Sequence, residues 1–150
     1  MMKRTATHRI AIATFLLLFS AVAAVAARKG ENIPPFPRTL TNAHYVYVTS
    51  YDGNQYNKNL LPEDREAIIN VQRALQKSGK FAVVYEPRQA DMVMVIQSRN
   101  NEDVLAVYDA HGWRHNGAYL WRVMAKGGLL QKNTPLMTEF FAAFNAAKAK

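Results

Sequence analysis

Apolar positions recur at helical spacing in two parts of the chain. The first pattern lies between Pro62, which suits a first helical turn, and Gly79, which suits a C-terminal stop. Its apolar members are Ala67, Ile68, Val71, Ala74 and Leu75. The second pattern follows Thr134, a candidate N-cap, and its apolar stripe comprises Leu136, Met137, Phe140, Phe141 and Phe144. Both patterns predict helices that bury one face.

Segments rich in β-branched and aromatic residues predict five strands. They span 44–50, 81–85, 92–98, 103–110 and 118–125. The unbroken apolar run 92–96 predicts a central strand that is covered on both faces. The order β-α-β-β-β-β-α therefore predicts an α/β (α+β) fold, with a single mixed five-stranded sheet backed by two helices.

The connectors between these elements predict where a partner would bind. If each element reverses the direction of the one before, the connectors 51–57, 86–91 and 111–117 emerge at one end of the sheet. The candidate binding residues on them are Tyr51, Asp52, Asn54, Tyr56, Trp113 and Arg114. The alternative interpretation is that Tyr51 and Trp113 pack beneath their own loops.

The first residues have the three-part pattern of a secretory signal peptide. A basic opening precedes the uncharged apolar stretch 10–27, which ends in small residues. The pattern predicts a Sec-type signal peptide over residues 1–27, cleaved after Ala26 or Ala27, and a periplasmic or secreted protein. An uncleaved anchor helix is the alternative, because a stretch of this length could just span a bilayer. No membrane span is expected after cleavage.

The mature chain is predicted to hold a single domain. Three prolines restrict the backbone over residues 28–43, which predicts a Pro-rich extended arm ahead of one domain at 44–150. The full chain has 19 Lys and Arg against 11 Asp and Glu. The basic residues are scattered along the sequence, which disfavours a nucleic-acid partner. The absence of cysteine excludes disulfides, lipid attachment at a cysteine and thiolate metal sites.

The strongest candidates for chemistry are His111 and His115. Two histidines four positions apart could bind a metal from one helix face, and Asp103 or Asp109 could join them. Gly112 and the Asn-Gly pair that follows instead predict a loop with solvated histidines. The chain also has no G-x-S-x-G motif and no glycine-rich phosphate loop. The sequence therefore predicts no enzymatic activity, no bound metal and no cofactor.

The stretch RALQKSGKFAVVYEPRQADMVMVI, followed by VLAVYDAHG and YLWRV, resembles a group of bacterial envelope domains. They include the amino-terminal domain of TolB-like periplasmic proteins and the periplasmic domain of curli-secretion lipoproteins. The shared positions are Ser78, Gly79, Phe81, Val83, Val84, Ala90, Asp91, Asp109 and Trp121. The resemblance implies the scaffold, an envelope location and a habit of binding other envelope proteins, and it implies no catalytic residues.

The expected function is therefore that of a non-enzymatic periplasmic or secreted binding module. It would engage an unidentified envelope protein through loops at one end of the sheet. Two alternatives remain open: a metal-assisted hydrolase that uses His111 and His115, and a carrier of an apolar small molecule or cell-wall fragment. The identity of the partner and the oligomeric state stay open as well.

Overall fold

The structure is a computed structural model that describes residues 33–100 and 102–149. These residues belong to one compact unit. The predicted signal peptide and its cleavage site lie outside the described residues. Among the residues that are described, no helix is both long and apolar enough to cross a membrane.

The sheet has five strands, and their bounds are β1 (Tyr45–Ser50), β2 (Ala82–Val84), β3 (Met92–Arg99), β4 (Glu102–Asp109) and β5 (Trp121–Ala125). The α-helices of the described chain are α1 (Pro62–Ser78), α2 (Ala110–Arg114) and α3 (Pro135–Lys148). Short 3-10 helices lie at Arg38–Leu40 and Pro87–Gln89. The strand order across the sheet is β2-β1-β3-β4-β5. The predicted fold class, a single mixed five-stranded sheet with two main helices, is confirmed.

The two long helices form as their sequence patterns predict. Pro62 occupies the first turn of α1, and Gly79 ends the helix with a φ of 66°, which suits a residue without a Cβ. The apolar stripes of α1 and α3 bury themselves against the same face of the sheet and form the main core. The middle strand, β3, contributes Met92, Met94 and Ile96 to this core.

The other face of the sheet carries a smaller apolar cluster. Val93 and Val95 of β3 point to it, next to Tyr47, Ala106 and Tyr108 from the flanking strands. Residues 92–96 are therefore buried on both faces, as their unbroken apolar run predicts. We call the side without the two long helices the second face.

The predicted strand directions are wrong from β3 onward. Both β2 and β3 run parallel to β1, and β4 runs antiparallel to β3. The connectors 51–57 and 111–117 therefore lie at opposite ends of the sheet. The assumption of a reversal fails at 85–91, because β2 is only three residues long and pairs with Tyr45–Tyr47 at the start of β1. A short connector that holds only a 3-10 helix can then reach the start of β3.

The connector 85–91 crosses β1 on the second face and is fixed at its far end. Ala90 packs against the apolar cluster of that face. The backbone N–H of Asp91 donates to the carbonyl of Tyr45 at 2.9 Å. The Asp91 carboxylate accepts from the backbone N–H groups of His44 and Tyr45, each at 2.9 Å. These bonds hold the crossover against the beginning of β1.

The described part of the proline-rich arm packs against the domain. Phe36 is buried, and its ring centroid lies 5.8 Å from that of Trp121, 5.6 Å from that of Phe140 and 5.4 Å from that of Phe144. The indole Nε1 of Trp121 donates to the carbonyl of Pro34 at 2.8 Å. The first and last parts of the described chain thus share one aromatic cluster.

The segment 111–117, predicted as a loop, begins as the short helix α2. The Asp109 carboxylate accepts from the backbone N–H of Gly112 at 3.0 Å and so caps the helix. Asn116, with a φ of 58°, follows its last turn. This capping hydrogen bond outweighs the low helix propensity of Gly112, so a short helix forms where the sequence predicts a loop.

Candidate functional site

The structure divides the predicted binding residues between the two ends of the sheet. Tyr51, Asp52, Asn54 and Tyr56 belong to the loop 51–61, which follows the carboxyl end of β1. Trp113 and Arg114 lie on α2 after β4, whose antiparallel direction places α2 at the opposite end. A single surface formed by all six residues at one end of the sheet is therefore wrong.

The loop 51–61 is held by hydrogen bonds along its length. Ser50 and Gly53 exchange backbone bonds of 2.9 and 3.3 Å, which close a tight turn. The side-chain amide of Asn57 donates to the carbonyl of Asp52 at 2.7 Å. The Arg65 guanidinium donates to the carbonyls of Gln55 and Asn57, the latter at 2.9 Å. The backbone of this loop is therefore ordered before any partner arrives.

Gly53 is required by the turn. Its φ is 124°, a backbone conformation that residues with a side chain rarely adopt. A Cβ at this position would also lie 2.7 Å from the side-chain nitrogen of Asn57. The Asp-Gly pair that predicts a loop in the sequence therefore determines the conformation of the loop as well.

The ordered loop presents Tyr56 to solvent. The side-chain oxygen of Asn54 accepts from the backbone N–H of Tyr56 at 3.0 Å, which fixes the turn that carries the tyrosine. The Tyr56 residue is 69% exposed, and Leu61 at the end of the loop is 43% exposed. An exposed aromatic residue on a fixed backbone is well suited to insert into a pocket of a partner.

A charged cluster beneath the loop ties it to α1 and β3. The Arg99 guanidinium binds the carboxylate of Asp52 at 2.8 Å and both carboxylate oxygens of Asp64 at 3.0 Å. Asp64 is fully buried and also accepts from the backbone N–H of Ser98 at 2.7 Å. The hydrogen bond that the Arg99 guanidinium donates to the Asp64 carboxylate raises the pKa of Arg99 above its ordinary value. The sequence pattern does not predict this cluster, although the two acids in the first turn of α1 are a possible signal for it.

A second buried carboxylate, Asp103, fixes the connector after β5. It accepts from the Ser98 hydroxyl at 2.6 Å and from the backbone N–H of Leu129 at 2.8 Å. Asp103 lies at the start of β4, whereas Asp109 lies at the end of the same strand. Asp103 therefore cannot join the histidines of α2, and its role in this structure is to hold the chain.

The two histidines of α2 do lie close together. The ring centroids of His111 and His115 are 4.8 Å apart. A cleft of about 350 Å³ that His111 lines also includes Asp91 and Asp109, and both of these carboxylates already accept backbone hydrogen bonds. Within residues 33–100 and 102–149, no group of three or more His, Cys, Asp or Glu residues is placed to hold a metal ion.

Tyr51 and Trp113 both fold back over the second face. The Tyr51 hydroxyl lies 3.4 Å from that of Tyr108, and the Trp113 ring centroid lies 6.0 Å from that of Tyr47. Tyr47 and Tyr108 flank Val93 in one row across the sheet. Tyr51 is still 51% exposed and Trp113 is half-buried, so both side chains contact the second face while part of each remains open to solvent.

This tyrosine arrangement predicts a specific alkaline transition. Burial, aided by the hydrogen bond with Tyr51, raises the pKa of Tyr108 to about 12. An unfolded tyrosine ionises near 10, so the stability contributed by Tyr108 is present below pH 10 and is lost between pH 10 and about 12. We expect urea midpoints to fall more steeply over this range in the wild type than in Tyr108→Phe.

Absorbance titration of the phenolate provides the direct measurement. One tyrosine should ionise late in the wild-type protein, and Tyr51→Phe should shift its titration to lower pH because a hydrogen bond to Tyr108 is removed. Identical pH dependence of stability in the wild type and Tyr108→Phe would contradict the expected role of Tyr108.

Comparison with known proteins finds distant structural likenesses. No family model matches the sequence, and no curated protein matches it. A PelC dodecamer from Paraburkholderia phytofirmans is 15% identical, with a TM-score of 0.40 over 76% of this chain and 94% of that one. An uncharacterized lipoprotein B from Nitrosomonas europaea is 14% identical, with a TM-score of 0.33 over 82% of this chain and 89% of that one. These values are low, and we base no functional argument on them. The resemblance to the TolB amino-terminal domain is not confirmed.

Proposed function

We propose that this protein is a non-enzymatic binding module of the bacterial cell envelope that docks a partner envelope protein through the loop 51–61. The observation that carries the proposal is the exposure of Tyr56 on a backbone that hydrogen bonds already hold in place. The signal-peptide pattern of residues 1–27 supports a periplasmic or secreted location for such a module.

The fixed loop favours binding for an energetic reason. Ordering a mobile segment on association opposes affinity, and a segment that is ordered beforehand avoids this loss. Arg65 and Asn57 supply the order from within the protein. Tyr56 then contributes a large contact area at a small cost in side-chain entropy, and Leu61 extends the apolar contact.

The buried carboxylates support a binding role over a catalytic one. Asp64 and Asp103 each accept hydrogen bonds from side chains or backbone groups of neighbouring elements. Asp109 caps α2 next to the His111 and His115 pair. These carboxylates position loops and helices, and so they support a scaffold that displays a surface.

The proposal predicts that Tyr56→Ala will weaken the association strongly. Truncation of a central aromatic anchor costs at least about 2 kcal/mol, which corresponds to a roughly 30-fold loss of affinity. Crosslinking in intact cells that express the wild type or Tyr56→Ala would reveal the loss of a specific crosslinked species, while thermal unfolding should be nearly unchanged.

Tyr45→Ala is the matched control. Tyr45 is also an exposed tyrosine, 48% accessible, but it lies at the beginning of β1, the end opposite to the loop. Its replacement should leave the crosslinked species in place. Retention of that species by a folded Tyr56→Ala protein would show that the loop 51–61 is not the docking site.

A further inference from the structure

A groove lined by basic residues, the basic groove, lies between the two long helices. α1 and α3 pack on the same face of the sheet, and a groove of about 380 Å³ separates them. Arg73 and Lys77 line it from α1, and Lys132 lines it from the connector that precedes α3. Lys132 is more than 50 positions away from the two α1 residues in the sequence, and the fold brings it to the same groove.

Among the described residues that line the groove, none is an Asp or Glu that could balance these cations. None of the three cations forms an ion pair with another described residue, and the one polar contact of Arg73 is to the neutral side chain of Asn70 at 3.3 Å. Arg73 and Lys77 stand four positions apart on α1, where two like charges repel each other and destabilise the helix. A bound anion would remove this repulsion.

Besides the cations, the groove is lined by apolar and hydroxyl side chains. Ala74 of α1 and Met137 and Phe141 of α3 supply apolar surface, while Thr134 and Thr138 supply hydroxyl groups. The side of α3 that faces the groove therefore carries no charge. A ligand that fits must combine an anionic group, placed near the α1 cations, with a small carbon skeleton that contacts the apolar floor.

We propose that the basic groove binds a phosphate ester, either as a free small organic phosphate or as the headgroup of a phospholipid. A phosphate group offers three acceptor oxygens, which suits the three cations that line the groove from α1 and from the connector before α3, and an arginine can bind two of these oxygens at once. The volume of the groove lies within the range of small-ligand sites. This site is separate from the loop 51–61 and does not depend on the docking of a protein partner.

Two probes distinguish the two sources of the phosphate. Calorimetric titration with glycerol 3-phosphate tests the free ester. Co-sedimentation with vesicles of phosphatidylglycerol and phosphatidylcholine, compared with vesicles of phosphatidylcholine alone, tests the headgroup. Binding of either probe should weaken as sodium chloride is raised, since the three cations of the groove are exposed and dissolved salt screens their charges.

A matched pair of variants tests the site itself. Arg73→Gln/Lys77→Gln should weaken binding about tenfold, because the Coulomb attraction of two nearby charges is lost. Arg88→Gln/Lys126→Gln removes the same residue types from exposed positions outside the groove and should bind as the wild type does. Tyr56→Ala should also bind both probes normally, which separates this test from that of the docking loop.

Each outcome decides the proposal. Binding of glycerol 3-phosphate that only the groove variant weakens supports a free ester, and the same result with anionic vesicles alone supports a headgroup. Failure of both probes to bind overturns the proposal. Equal weakening by the two double variants also overturns it, since it would show attraction to the net positive charge of the protein in place of a site.

Discussion

Replacing Met94 with Asp is expected to abolish stable folding. Met94 is fully buried in the middle strand of the sheet, beneath the helical layer. A carboxylate there would lose its hydration without gaining a partner, at a cost of several kcal/mol. This cost approaches the whole stability of a domain of this size. The yield of soluble protein and its near-ultraviolet circular dichroism measure the result.

Two control variants separate burial from other effects. Met94→Leu keeps the apolar volume and should cost less than about 1.5 kcal/mol. Gln97→Asp places a carboxylate on the same strand at a position that is only partly buried, and it should be tolerated far better. A soluble Met94→Asp protein that melts as the wild type does would refute the assignment of β3 as the buried central strand.

Replacing Asp64 with Ala is expected to destabilise the protein by about 3 kcal/mol. The change removes the acceptor of the buried Ser98 N–H and the main partner of the Arg99 guanidinium. Arg99 is partly exposed and can regain water, so the loss should lie at the lower end of the range for broken buried ion pairs. Urea unfolding should show a lower midpoint with an unchanged slope.

The neighbouring acid provides the comparison. Glu63 also lies in the first turn of α1, but it is exposed, and the positive end of the helix dipole stabilises its charge only weakly. Glu63→Ala should change the stability by at most about 0.5 kcal/mol. Equal effects of the two substitutions would show that Asp64 acts as a surface charge and that its contacts with Ser98 and Arg99 contribute little.

The elements of the fold were predictable because their signals are local. Pro62 and Gly79 delimit α1 in the sequence as they do in the structure. The apolar run 92–96 identifies the central strand, since only a strand covered on both faces lacks polar positions. Periodicity therefore predicts which elements exist and which faces they bury.

The strand directions were not predictable in the same way, because they depend on pairing between distant segments. Val46 of β1 pairs with Met92 of β3, and no local pattern in either strand records whether the two run parallel. The shortness of β2 permits the parallel arrangement, and it becomes visible only in the register with β1. Because the predicted direction of β4 is wrong, the sequence places Trp113 and Arg114 at the wrong end of the sheet.

The candidate site was predictable in part for the same reason. Tyr56 and Asn54 stand close together in a loop that Asp52 and Gly53 predict, so their proximity follows from the sequence. The contact of Arg99 with Asp52 joins residues 47 positions apart and depends on the complete sheet. The basic groove also depends on the complete fold, because its cations come from α1 and from the connector that precedes α3.

The aromatic cluster around Phe36 affects the order in which the chain can fold. The bond between Trp121 and the Pro34 carbonyl joins residues 87 positions apart, and α3 supplies Phe140 and Phe144 still later in the chain. Contacts of such sequence separation form slowly, because the loop between them must close first. The packing of this cluster is therefore expected to be among the last steps of folding, because it needs both Pro34 and α3.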